Sequence, residues 1–413
     1  MIASNLYRLS FLLLVASPHV FSFTGLLLRS SAKIPDFKQP SKLGTGKSTF
    51  GMVLAPDQGS TTTTMTPEIV PFNEIFDASD QSILTTVWDE EAPEGKFVKG
   101  RHGCTHYVVD GANNNKGIIV LSHGVGTSSH MYRPLSALLV KAGYTVIRYD
   151  FFNHGYSKYT GGDDIWIPFE PDMFIDQVED LLTVVRNDGD SQKDFVAFVG
   201  HSTGGVAGIY AAERWMSSSQ FRPKNFVLIS PAIYAEKPFL AKIADNFPCS
   251  FAFLMRSLPF LNGLIANAYT EAGKIAFGQI DDKYVYPQQQ KDVSKLFDRL
   301  FGNDKGIKKH PTLEAGINSC NWGMLRGSDL EGHRETLRKV LKENETTGTI
   351  NFTHLWGNLD RTVPFKPHYE ETIKKWQADD FPKYFKAQPL EKLGHESVFE
   401  NSEQLGQQML ENL

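Results

Sequence analysis

The chain has 413 residues, 41% apolar and 22% charged, with a net charge of −5 from 42 basic and 47 acidic residues. This is globular composition, long enough for one large domain with an insertion and a tail, and the lack of a basic stripe argues against nucleic acid as a partner. Cys104, Cys249 and Cys320 stand far apart, so neither a disulfide framework nor a metal cluster is expected, and no metal or other cofactor is implied.

Residues 1–64 read as a leader. Arg8 precedes a short apolar core, Phe11 to Ala16, which Pro18 and His19 interrupt. A signal peptide has this form, whereas a spanning helix needs about 20 apolar residues. Cleavage after Ser22 leaves Phe23 first, and a basic, hydroxyl-rich stretch follows as far as Thr64. The combination resembles the bipartite plastid leader of algae with complex plastids, so the expected destination is the plastid. The alternatives are a simple secretory signal, leading to secretion or the endomembrane system, and a membrane anchor over residues 10–28. Gly44 to Thr49 imitates a phosphate loop, but Ser41 stands where the first glycine is needed.

Residues 65–95 form a polar, acidic lead-in with room for a short helix. The first part of the core is expected over 96–230, with strands near 104–109, 117–122, 145–150, 194–200 and 225–230 and helices near 131–142, 172–187 and 204–217. The second part, 346–413, adds strands near 350–356 and 384–388 and helices near 366–377 and 402–412. Strands alternating with helices predict a mostly parallel sheet with helices on both faces. Two glycosylation sequons, at Asn344 and Asn351, are read as chance, because Asn351 opens a core strand.

The chemistry enters along this order. After the apolar strand ending at Leu121 comes Ser122-His123-Gly124-Val125-Gly126, a loop whose glycines let backbone approach a substrate. After the strand Asp194 to Val199 comes Gly200-His201-Ser202-Thr203-Gly204, opening a small-residue helix. Strand, sharp turn and helix around G-x-S-x-G make a nucleophile elbow, with Ser202 at its apex. The oxyanion hole is assigned to the backbone N–H groups of Thr203, following the nucleophile, and Val125 in the earlier loop.

A serine hydroxyl needs a base, and the base needs an acid to orient it. In this architecture the acid and then the histidine follow the serine. Asp360 leaves the strand Ile350 to Gly357, at the strand edge where catalytic side chains collect. His395 follows Gly394 on the loop before the last helix. Among the other histidines, His201 is expected to point away from the serine's pocket, His123 belongs to the earlier loop, and His354 is mid-strand. Glu391 and Glu396 lie too near His395 in sequence to come from a separate strand end.

Over roughly residues 96–413 these motifs, with Arg148-Tyr149-Asp150-Phe151-Phe152-Asn153-His154-Gly155-Tyr156-Ser157, resemble the α/β-hydrolase superfamily, in particular monoacylglycerol-lipase-like esterases. Phe152-Asn153 departs from the usual pair in a turn that is structural. The resemblance implies the α/β-hydrolase fold, a Ser202–Asp360–His395 triad, and a helical cap over the active site at 231–345. The apolar residues of that insertion, such as Phe239, Phe251 and Phe260, point to a greasy channel and to small lipophilic esters as substrates. Transient association with a membrane surface is compatible with this. The alternatives are a ligand-binding protein that kept the fold, or a perhydrolase or C–C hydrolase of the same fold.

Overall fold

Near-continuous apolar runs build a sheet that is covered on both faces. Its strands are β1 (Glu68–Val70), β2 (Lys96–Gly100), β3 (Gly103–Asp110), β4 (Ile118–Ser122), β5 (Thr145–Tyr149), β6 (Lys158–Tyr159), β7 (Phe195–His201), β8 (Asn225–Ile229), β9 (Asn351–Gly357) and β10 (Phe385–Leu390). The helices are α1 (Phe72–Ile75), α2 (Arg133–Lys141), α3 (Pro171–Val185), α4 (Thr203–Trp215), α5 (Leu330–Thr347), α6 (Ser397–Glu400) and α7 (Ser402–Leu410). The computed structural model describes residues 66–76, 94–124, 127–152, 154–160, 171–186, 193–217, 220–233, 330–360, 362–363, 369–370, 373–374 and 384–413, all within the unit Thr66–Leu413.

Successive strand residues face opposite sides, so each run feeds two cores. Ile118, Val120, Phe198, Phe226 and Leu228 pack with Phe174 and Leu181 of α3, Val206 and Ile209 of α4, and Leu337 and Val340 of α5. Their neighbours Ile119, Leu121, Val199, Val227 and Ile229 pack with Leu135 and Leu139 of α2 and with Leu405 and Met409 of α7. Each such side chain contributes ~1.5–3 kcal/mol when fully buried. Two well-filled layers therefore hold the sheet rigid beneath its loops.

The sheet order is β1-β2-β3-β5-β4-β7-β8-β9-β10, with β6 paired to β3. The strands from β5 to β10 are parallel neighbours, while β1, β2, β3 and β6 pair antiparallel at the front. After β4 the chain goes to β5 on one side and later returns to β7 on the other. In open α/β sheets ligands bind at such a reversal, outside the carboxyl ends of the strands, which here are those of β4 and β7.

The seven expected core strands are all present, within two residues at either end. Four of the expected helices are present with similar accuracy, and the fifth, 366–377, lies mostly outside the described residues. Strands β1, β2 and β6 were not anticipated, because stretches such as Lys96-Phe97-Val98-Lys99-Gly100 offer only two apolar residues. The leader, 1–64, and most of the expected cap, 234–329, also lie outside the described residues. The expected cap boundary at 345 falls inside α5, whose Leu337, Val340 and Leu341 are buried in the core.

Candidate active site

Ser202 follows β7 and caps α4 in a conformation L-residues rarely adopt, with φ 52° and ψ −112°. Strain of this kind costs ~1–3 kcal/mol and persists only where the surroundings over-determine it. Here the Ser202 N–H donates to the Ile229 carbonyl at 2.9 Å, and the Ser202 carbonyl accepts from Gly205 and Ala232 N–H at 3.0 Å each. The flanking glycines have a steric cause. A β-carbon at Gly200 would lie 2.1 Å from the Gly204 carbonyl oxygen, and one at Gly204 would lie 2.1 Å from that of Ser122.

His395 lies on the loop between β10 and α6, and Asp360 lies just beyond β9. His395 Nδ1 is 2.8 Å from Asp360 Oδ2, and His395 Nε2 is 3.1 Å from Ser202 Oγ. The other Asp360 oxygen, Oδ1, accepts the N–H groups of Thr362 and Val363 at 2.9 and 2.8 Å. With a carboxylate on Nδ1, the proton of neutral His395 belongs there, and Nε2 is left to accept from the serine hydroxyl. All three side chains are buried. Burial opposes charge on the imidazole, but Asp360 outweighs it, with Glu396 and Glu400 adding to the effect, and the His395 pKa is raised to about 9.

Of the two residues expected to supply oxyanion amides, one is described. Thr203 opens α4, so its amide sits in the first turn, where N–H groups collect and the helix dipole favours negative charge. Val125 lies outside the described residues. The base of its loop is well defined. The Phe151 N–H donates to His123 Nε2 at 2.9 Å, so His123 Nδ1 carries the proton and donates to the Gly124 carbonyl at 2.6 Å. Thr127 Oγ1 donates to the same carbonyl at 2.8 Å. A β-carbon at Gly124 would stand 3.1 Å from Ser202 Cβ, which places this loop beside the nucleophile. Burial lowers the His123 pKa to about 4, in keeping with that neutral tautomer.

The turn after β5 supports the site without entering it. Asp150 Oδ1 accepts from Ser129 N–H at 2.7 Å, and Oδ2 accepts from Tyr156 N–H at 3.0 Å and His106 Nδ1 at 2.7 Å. This is the structural role the motif implied, although Asn153 lies outside the described residues.

Three further residues close on the site in contacts the sequence did not reveal. Glu400, five residues after His395, accepts the Gly394 N–H and fixes the histidine loop. Burial pushes the carboxyl of Glu396, next to His395, up to about 7. His201, expected to point away from the serine's pocket, donates to the His395 main-chain carbonyl at 2.8 Å. Ligand atoms of His201, His395 and Glu396 lie within 4.8 Å of one another. Both His395 nitrogens and His201 Nε2 are already engaged, so these residues do not form a free metal-binding set. His354 is buried within β9, and burial lowers its pKa to about 3.

The arrangement offers a hydroxyl, a base oriented to deprotonate it, and a helix N-terminus for the charge that would develop. Residues 119–407 match the family described as the Alpha/beta hydrolase family. No curated protein sequence matches the chain. Among solved structures, an esterase from Exiguobacterium antarcticum aligns at 14% identity and TM-score 0.52, covering 77% of this chain and 98% of its own. A monoacylglycerol lipase from Paleococcus ferrophilus aligns at 19% identity and TM-score 0.44, covering 74% and 97%. A putative lipase from Acinetobacter baumannii aligns at 16% identity and TM-score 0.48, covering 82% and 96%. At 14% identity the likeness to the Exiguobacterium esterase is one of fold.

Proposed function

The chain belongs to the alpha/beta hydrolase family, and within it we propose a serine hydrolase that cleaves carboxylic esters of lipophilic molecules through an acyl-enzyme. The observation that carries this reading is the hydrogen-bonded run from Asp360 through His395 to Ser202 Oγ, at 2.8 and 3.1 Å. Ser202 attacks the ester carbonyl while His395 Nε2 takes its proton. Asp360 holds the imidazole tautomer and stabilises the imidazolium. The amides of Thr203 and Val125 meet the oxyanion of the tetrahedral intermediate. His395 then protonates the leaving alkoxide, and water repeats the cycle on the acyl-enzyme.

Ser202→Ala should lower ester turnover by about 10⁴-fold or more, and a fluorophosphonate probe should label the parent at Ser202. A folded Ser202→Ala enzyme that still hydrolyses p-nitrophenyl esters removes Ser202 from the mechanism. A folded parent that neither labels nor turns over favours a ligand-binding protein.

The lipophilic substrate rests on the Phe- and Leu-rich insertion at 231–345 and on Leu359, 54% exposed beside Asp360. Medium- and long-chain esters should be turned over faster than acetate, and the reverse order counts against this substrate class. Residues 1–64 are proposed as a plastid leader dispensable for catalysis. A chain starting at Thr66 should be soluble and active, and the mature N-terminus in its own cells should lie beyond Ser22. An intact Met1 terminus in a carbonate-resistant membrane fraction shows the anchor reading to be right instead.

A further inference from the structure

His201 stands in the elbow between Gly200 and Ser202. It closes β7, and its side chain is buried. Its Nε2 lies 2.8 Å from the main-chain carbonyl oxygen of His395. A carbonyl oxygen only accepts, so Nε2 carries the proton and donates it. The two imidazole rings stand 5.0 Å apart, inclined at 48°. The other ring nitrogen, Nδ1, is buried without a hydrogen-bond partner among the described residues. A β-carbon at Gly124 would come within 3.1 Å of that Nδ1. One side chain thus touches the elbow, the loop of the base and the loop after β4.

These contacts close a ring. Ser202 is joined to His201 through the backbone, His201 to His395 through Nε2–H···O, and His395 back to Ser202 through Nε2···Oγ at 3.1 Å. Apart from the Glu400 contact at the neighbouring Gly394, the base is held at two points. Asp360 accepts from its ring, and His201 donates to its main-chain carbonyl. Asp360 alone leaves the ring free to swing about the Nδ1 contact. The second point comes from the residue covalently next to the nucleophile, so movement of the elbow carries the base with it. The titratable groups facing His201 are His395, Glu396 with Oε2 at 4.0 Å, and His123 across Gly124. Burial holds the His201 ring neutral, which the single donated proton requires.

We propose that His201 is a positioning residue which sets the distance from His395 to Ser202 by donating its Nε2–H to the His395 main-chain carbonyl. This rests on the serine hydrolase reading. A side chain that merely filled the space behind the elbow would be replaceable by any apolar residue of similar reach, at a loss of stability alone. A donor that places the base is replaceable only by another donor at the same point.

The test compares His201→Met, which has similar reach and no donor, with His201→Gln, whose amide N–H falls near the position of Nε2. Both are made in the full chain and assayed for hydrolysis of p-nitrophenyl octanoate and for the rate of fluorophosphonate labelling. His201→Met should lower kcat about tenfold or more, because a small displacement of a catalytic group has this effect. KM should stay within about twofold, labelling should slow in the same proportion, and His201→Gln should recover most of both. Parent-like kcat in His201→Met, or an equal loss in the two variants, overturns the proposal. If His201→Met does not fold, the deciding measurement is ¹⁵N-histidine NMR of the Ser202→Ala chain from about pH 5 to about pH 9. His201 should remain the neutral Nε2–H tautomer while His395 titrates, and a titrating or Nδ1–H His201 overturns the proposal. The two readings fail separately. A Ser202→Ala chain with normal turnover sinks the hydrolase, whereas an inert Ser202→Ala beside an unaffected His201→Met sinks only the role of His201.

Discussion

Asp360 divides its carboxylate, giving Oδ2 to His395 Nδ1 at 2.8 Å and Oδ1 to the N–H groups of Thr362 and Val363. The backbone donors decide which way an amide in its place must face. In Asp360→Asn the amide oxygen stays on the two N–H groups, so the NH₂ turns toward His395 Nδ1. Two donors cannot share that contact, and the imidazole must adopt the other tautomer with its proton on Nε2. It then cannot accept from Ser202. The expected loss is about 10³–10⁴-fold in kcat, with the fold retained. Activity within about tenfold of the parent, in a protein of normal melting temperature, removes Asp360 from the role of orienting acid.

The same carboxylate governs the pH dependence. Burial lowers the His395 pKa, Asp360 raises it more, and the balance stands at about 9, with Glu396 and Glu400 contributing to the rise. The base works only when neutral, so kcat/KM should increase with pH through a value well above the ordinary 6.5 of histidine. Glu396→Gln removes one negative neighbour and should shift that limb toward lower pH. A limb at or below 6.5 in the parent, or an upward shift in Glu396→Gln, contradicts this electrostatic account.

Which parts of the site were readable in advance follows from how each is encoded. Ser202 stands in a turn whose glycines are imposed by local contacts, so a short motif records it. Asp360 and His395 stand at strand ends in a fixed chain order, and they are found within hydrogen-bond reach of one another and of Ser202. His201 and His395 are 194 positions apart, and only the pairing of strands brings them together. Glu400 carried a faint signal, a carboxylate one and a half turns beyond the histidine. Helix α5 was unreadable because eight of its 18 residues, Leu330 to Thr347, are charged and few are apolar. Its stripe of Leu337, Val340 and Leu341 is narrow, and its buried Asn344 spends its amide on the turn into β9. That use also accounts for an otherwise idle sequon at Asn344.

Buried histidines should make the fold sensitive to mild acid. Burial lowers the pKa of His123 to about 4, and of His201 and His354 to about 3, from 6.5. Below 6.5 the unfolded chain takes up protons that the folded chain refuses. Their stabilisation is therefore complete above that pH and is lost progressively as pH falls toward the folded values. Glu396, raised from 4.5 to about 7, and His395, raised from 6.5 to about 9, work the other way between those values, since the folded chain binds their protons more readily. Three histidines less one glutamate leave a difference of about two protons, or ~3 kcal/mol per pH unit near pH 5.5. The melting temperature should fall by ~2 °C or more between about pH 6.5 and 5.5, and His354→Phe should reduce the slope. A melting temperature flat over that range rules out neutral burial of these rings.

His106 presents both ring nitrogens to acceptors, Nδ1 to Asp150 Oδ2 at 2.7 Å and Nε2 to the Glu94 carbonyl at 2.6 Å. Neither partner can donate once Asp150 is ionised, so both nitrogens carry protons and the ring is an imidazolium inside the protein. Burial opposes the Asp150 charge and His106 outweighs it, holding the carboxyl well below the usual range. Both side chains are fully buried, so removing one charge leaves the other without its counter-ion. Such a change costs about 3–5 kcal/mol. Asp150→Asn should therefore destabilise the chain by roughly 3 kcal/mol or more in urea unfolding. His106→Gln should do the same, and the double variant should lose less than the sum of the two. The pair anchors the turn after β5, on which His123 and the loop beside Ser202 depend through the Phe151 N–H, so turnover should fall together with stability. Additive losses in the double variant show that the two side chains are not coupled, and the buried ion pair is then absent.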